Sequence, residues 1–315
     1  MQDIEMFYTY LTSQQTAQHY LYNCYKAIGE IDADRKSYEN CTVFTSYIQH
    51  GQMFYQSGRN SSPILQPVLY FYGMAHLIKA CLMTVRPDYP ESTSQLAHGV
   101  TARKRKKKDY SFLRDEVKIQ HNGLFPYFSE HLFHINRLPF EKINMQQLLA
   151  LIPEMGMMLG FHQEKGLYQV GKMQGTWLEF PLKILDDYHT TKDGFLNKIS
   201  PFLPEIRHME SDSHHIQVEL AKPLNELKGP FYSDKTQSPI FFPAKRELFL
   251  PLSEIMVHYL LLYNLSMLCR YETDWWGDLF TSKLDADYPF ITQFLKESAE
   301  KVPILLGLEL YKRKV

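Results

Sequence analysis

Cysteine is scarce in this 315-residue chain, and the four present stand apart. Cys24, Cys41, Cys81 and Cys269 form no CxxC pair and no short spacing, which argues against a disulfide framework or a cysteine-based zinc site. Each lies in an apolar, helix-like stretch, so buried thiols in a reducing cytoplasm are expected. Phosphate loops of the GxGxxG and GxxxxGK types are missing, as are GxSxG and HExxH. Their absence argues against P-loop nucleotide hydrolysis, a hydrolase nucleophile elbow and a zincin. His131 and His134 are three apart, and His208, His214 and His215 cluster in sequence. Neither group carries a recognisable ligand motif, so no metal and no cofactor are expected.

Long apolar runs free of polar residues are also missing. Residues 64–85 contain Gln66, His76 and Lys79, and residues 255–269 contain His258 and Asn264. Both read as buried core helices, not as membrane spans. The opening MQDIEMFYTYL lacks a cationic start and an apolar signal core, so a cytoplasmic protein without a membrane segment is expected. Net charge is nearly absent too, at −1. Yet Arg103, Lys104, Arg105, Lys106, Lys107 and Lys108 are six consecutive cations, and −1 less six leaves −7 for the remainder. Any attraction for nucleic acid must therefore come from a local patch, because the body is mildly acidic.

Aromatic residues, by contrast, are plentiful, with 21 Tyr and 20 Phe, which implies thick packing layers. Helical spacing dominates residues 1–85. The segment from about 66 to 84 is apolar on nearly every side, and such a helix has to be surrounded by others. RPDYPESTSQ (86–95) breaks the pattern. Between about 110 and 250 short alternating stretches appear: DEVKIQ, GLYQV, TWLEF, HHIQVEL and PIFF, each read as a strand. Helices are expected near 125–134 and 144–163, the second breaking at Pro153. Helical texture returns from 251, with Ser253 as N-cap of the next helix and two or three more helices after residue 271. The expected fold class is α+β, mostly α-helical. Residues 1–100 plus 251–315 are expected to form a discontinuous helical bundle, and 101–250 a mixed β-containing insert.

PVLYFYGMAHLIKACL (67–82), HGV (98–100) and LLLYNLSMLCRYETDWW (261–276) together resemble the YaaC-like family of bacterial proteins, across nearly the whole chain. The family has no assigned activity. Its helical parts are distantly similar to HEPN domains, many of which are dimeric, metal-independent ribonucleases while others only bind. The resemblance implies a helical bundle, a homodimer and a range of functions rather than one reaction.

A nuclease of that kind would carry Arg, four to six residues, then His. Arg114 to His121 and Arg207 to His214 are the two stretches that fit, one read as a strand and the other as a loop, and neither on the core helix that the motif needs. Other residues are singled out for a pocket. His76 and Lys79 share a helix face with Tyr72. His258 interrupts the other core helix, where a hydrogen-bonded core histidine is the plainer reading. His98 precedes Gly99 and the basic run, with a turn hydrogen bond as its plainer role. Arg270 either faces its helix dipole and pairs with Asp274, or holds an anion between Tyr271 and Trp275. The resulting expectation is a non-catalytic binding or regulatory module that contacts RNA through 103–108 and the Arg270–Trp276 corner. The alternatives are a metal-independent endoribonuclease and a structural interaction protein.

Overall fold

A stretch such as QPVLYFYGMAHLIKACLM has no polar face to offer water and is stable only when other helices enclose it. The computed structural model describes residues 2–102, 110–283 and 286–314. The chain opens with α1 (Gln2–Tyr10), α2 (Gln14–Ala27), α3 (Ala33–Arg59) and α4 (Gln66–Met83), the enclosed helix. β1 (Val100–Ala102), β2 (Glu116–Ile119), α5 (Leu124–Phe133) and β3 (Lys142–Asn144) follow. Next come α6 (Met145–Leu149), α7 (Gly156–Phe161), β4 (Leu167–Lys172), β5 (Trp177–Pro181), α8 (Ile184–Tyr188) and α9 (Lys192–Ile199). The strands β6 (Ile206–Ser211), β7 (His215–Leu220), β8 (Tyr232–Ser233) and β9 (Pro239–Pro243) lead to α10 (Glu254–Tyr271), α11 (Thr273–Ser282) and α12 (Asp287–Tyr311). The fold is α+β and mostly helical. It divides into two compact units, residues 1–145 with 258–315, and residues 146–257.

In the first unit the two ends of the chain share one core. α4 packs on α3, α5 and α12, and α1 packs on α12. Phe71 of α4 meets Tyr259 and Tyr263 of α10 at ring separations of 5.2 and 5.6 Å. The Tyr8 hydroxyl donates to the Pro303 carbonyl (2.8 Å) and the Tyr20 hydroxyl to the Leu310 carbonyl (2.7 Å). α3 approaches α4 closely at Gly58, where a Cβ would stand 2.3 Å from the Tyr70 ring.

α12 runs through Pro303 without a break. A proline inside a helix offers no N–H to the carbonyl four residues earlier, here Ala299. Arg59 supplies the missing donor, its Nη2 lying 2.8 Å from the Ala299 oxygen. At the other end of α12, Asp287 is fully buried. Its carboxylate accepts from the Ser111 hydroxyl (3.1 Å) and from the backbone amides of Phe112 and Leu113 (3.1 Å to the latter). Residues 111–113 are thereby pinned to the start of α12. Close by, β1, β2 and β3 form a small antiparallel sheet in which Thr101 faces Lys118 and Val117 faces Ile143.

The second unit is built on a six-stranded antiparallel sheet of order β6-β7-β5-β4-β9-β8. Alternation sets its inner face: Leu178 and Phe180 of β5 and Ile216, Val218 and Leu220 of β7 are all buried. They share a core with Ile184, Tyr188, Phe195, Ile199 and Phe242. The opposite face carries Trp177, Glu179, Gln217 and Glu219, with Trp177 directly across from Glu219. Ser253 caps α10, its hydroxyl accepting from the Met256 amide at 3.3 Å. No helix among the described residues is long and apolar enough to cross a membrane.

Candidate functional site

Two helical stripes face each other on the surface of the first unit. Tyr72, His76 and Lys79 recur at four- and three-residue spacing on α4, and Tyr47, His50 and Phe54 recur at three and four on α3, so each set lies along one face. The side chains then meet in order. Phe54 contacts Tyr72 (6.3 Å between ring centres), His50 and Phe54 each contact His76 (5.5 Å), and the Lys79 Nζ lies 5.6 Å from the centre of the Tyr47 ring.

α10 closes the row beyond Tyr72. The Arg270 guanidinium sits 5.9 Å from the Tyr72 ring and 5.2 Å from that of Tyr271. Its Nε donates to the Ser266 carbonyl (3.1 Å) and its Nη1 to the Tyr72 hydroxyl (3.4 Å). His98 joins from the loop before β1, edge-on to Phe71 (4.9 Å), Tyr72 (6.1 Å) and Tyr263 (5.7 Å). Its backbone is fixed, because the His98 carbonyl accepts from the Phe125 amide (3.1 Å) and the Tyr259 hydroxyl (2.9 Å). Gly99 takes a left-handed φ of 77° at this point and packs against Gly123. A Cβ on Gly123 would lie 2.4 Å from the Gly99 nitrogen, so glycine is required there.

The electrostatics of this row are uneven. Lys79 and Arg270 are half-buried, and among the described residues no carboxylate pairs with either. Burial pulls Lys79 below the usual ammonium range. Burial, with Lys79 and His50 adding repulsion, lowers His76 from 6.5 to about 4. Burial also lowers His98, with Arg270 and then Lys79 adding to it. Near neutral pH the face therefore presents two cations, two neutral imidazoles and a set of aromatic rings. Two cations set against aromatic rings, with no carboxylate partner among the described residues, suit an anion that carries planar groups, held by charge and by stacking.

The residues singled out from the sequence divide accordingly. His76, His98, Arg270 and Tyr271 come together in this row. His258 is fully buried elsewhere, its Nδ1 3.2 Å from the Ser298 hydroxyl and its ring stacked on Phe294. Trp275 packs edge-on against Tyr110 at 4.8 Å, and the contacts of Arg270 do not include it. Nor does Arg270 pair with Asp274; its guanidinium turns back along α10. The basic run Arg103–Lys108 lies outside the described residues. Arg114 and His121 are exposed at opposite ends of β2, while Arg207 on β6 and His214 beyond its end are also exposed. A strand rises about 3.3 Å per residue, which separates the members of each pair along the chain rather than bringing them onto one helix face. Cys269 is only half-buried, unlike the other three thiols. Among the described residues no three His, Cys, Asp or Glu side chains gather as a metal-ligand set.

The α3 stripe was not singled out in the sequence. Tyr47-x-x-His50-x-x-x-Phe54 is its only signal, and the spacing gains meaning once α4 is known to lie alongside. Fold and site together describe a mostly helical α+β protein with a cationic, aromatic face on its helical unit. The family model for YaaC-like Protein matches residues 9–310, and the chain belongs to that family. No curated protein and no solved structure matches it.

Proposed function

We propose that this protein is a non-catalytic binding module that engages single-stranded RNA through the row formed by Lys79, His76, Tyr72, His98, Arg270 and Tyr271. The observation that carries this reading is the pair of half-buried cations, Lys79 and Arg270, which lack a carboxylate partner among the described residues and lie against aromatic rings. RNA offers both complements, phosphate for the cations and bases for the rings. The six cations of 103–108, counted from the sequence, add sequence-independent attraction for a backbone. A distant kinship with HEPN domains, a homodimeric assembly and a cytoplasmic location complete the proposal. The test is fluorescence anisotropy with a labelled single-stranded RNA. Binding is expected to weaken at least tenfold on Arg270→Ala or Lys79→Ala. Unchanged affinity in both variants overturns the assignment to this face.

A second reading rests on His98. It is held neutral by burial and by the nearby Arg270, a combination that suits a base beside a phosphate-binding cation in a metal-independent ribonuclease. Incubating the protein with mixed cellular RNA in the presence of a chelator separates the two readings. Cleavage that disappears on His98→Ala supports the nuclease, and RNA retained intact supports the binding module.

A further inference from the structure

A separate cleft opens in the same unit, where four helices end. Lining residues lie in the last turns of α2 and α5 and just beyond the C-termini of α2, α4, α5 and α12, and the cavity measures about 530 Å³, in the range of small-molecule sites. Five of the residues on its wall are basic: Arg86, His131, His134, Lys312 and Arg313. Lys312 pairs with Glu309 (2.8 Å), and burial, then Arg86, lowers His131, so the two arginines are the groups left to take an anion. Among the described residues no carboxylate lines the cleft. Ile28, Val85 and Cys24 supply an apolar side.

Cations at helix C-termini often do no more than answer the negative end of the dipole. Two features go beyond that role here. The guanidinium groups are held in place by carboxylates that do not belong to the wall. Glu91 takes the Arg86 Nε (3.0 Å), which also reaches the Tyr127 hydroxyl (3.1 Å), and a second contact runs from Arg86 Nη2 to Glu91. Glu309 accepts from Arg313 Nη1 (3.3 Å). Each fork keeps further N–H donors beyond these bonds, Nη1 on Arg86 and Nη2 on Arg313. The second feature is volume, since compensating a dipole needs no cavity.

We propose that this cleft is a binding site for a phosphate monoester with an apolar or planar body, Arg86 and Arg313 taking the phosphate and Ile28, Val85 and Cys24 taking the body. Guanidinium forks that are already oriented and keep N–H donors to spare match phosphate oxygens. The site is independent of the row proposed for RNA.

The test is isothermal titration of the full chain with inorganic phosphate, adenosine monophosphate and hexyl phosphate. The two esters distinguish a nucleotide from an alkyl phosphate. At least one ester is expected to bind one-to-one and at least tenfold more tightly than inorganic phosphate. Arg86→Gln combined with Arg313→Gln is expected to weaken it tenfold or more. Because those arginines also brace helix ends, Ile28→Trp serves as the second variant; it fills the cleft from a side chain that is already 47% exposed, and is expected to block the ester. Arg270→Ala is expected to leave ester binding unchanged, which keeps this result apart from the RNA result. No binding of either ester, no advantage over inorganic phosphate, or full binding by the Ile28→Trp variant overturns the proposal.

Discussion

Arg59 donates to the carbonyl of Ala299, 240 positions away along the chain, and Ala299 is the residue whose helical donor Pro303 has removed. One guanidinium from the end of α3 thus repairs the hydrogen-bond gap in α12. Arg59→Met is expected to leave that part-buried carbonyl without a donor and to cost about 1 kcal/mol in urea unfolding. The loss should shrink in a Pro303→Ala background, where residue 303 regains its own N–H. A double-mutant cycle with no coupling between positions 59 and 303 contradicts the repair.

Asp287 makes a second long-range tie, between the start of α12 and residues 111–113. Asp287→Ala strands two backbone amides and a hydroxyl, and the expected loss is roughly 3 kcal/mol or more. Asp287→Asn keeps one acceptor oxygen and is expected to cost less. The two midpoints in urea decide the matter: equal losses, or a loss under about 1 kcal/mol for alanine, mean that the carboxylate is not the anchor.

Both ties show what sequence reading reaches and where it stops. The apolar segments at 66–83 and 254–271 were legible because a helix without a polar face has few places to be. β2, β4, β5, β7 and β9 were legible from alternation. β1 and β3 have three residues each, too few to show a period. β6 reads as a loop because Arg207, His208 and Glu210 are exposed at the sheet edge. α12 runs through its proline because of a residue on another helix, which no local pattern can announce. The candidate site behaves likewise. His76, His98 and Arg270 stand out singly as polar breaks, but their convergence depends on how α3, α4 and α10 pack. Trp275 is only five residues from Arg270 in the sequence and packs elsewhere, against Tyr110.

Salt dependence offers a quantitative check on the RNA reading. Each phosphate neutralised on a single strand contributes about −0.7 to the slope of log affinity against log salt. Replacing Lys79 and Arg270 together by alanine should make that slope shallower by roughly 1.4. Replacing Tyr72 and Tyr271 by alanine removes stacking and not charge, so it should lower affinity while leaving the slope in place. A slope that does not respond to the two cations means that phosphate is held elsewhere on the protein.

His76 links stability to pH in a direction that can be worked out. Its pKa is about 4 in the folded protein against 6.5 when free, with Lys79 on its own helix and His50 on α3 as the charged and titratable groups that oppose protonation. Between those two values the unfolded chain binds more protons than the folded one, so stability falls as pH drops from about 6.5 toward 4, and His76 has no effect above that window. The ring is only half-buried, so the loss is on the order of 1 kcal/mol after allowing for solvent screening. A bound anion works the other way, because it favours the protonated ring. RNA affinity is therefore expected to rise over the same interval in which stability falls. His76→Gln should flatten both trends in unfolding and anisotropy measurements made at pH 7.5, 6 and 5. If the variant keeps the wild-type slope in either measurement, His76 is not the group that titrates.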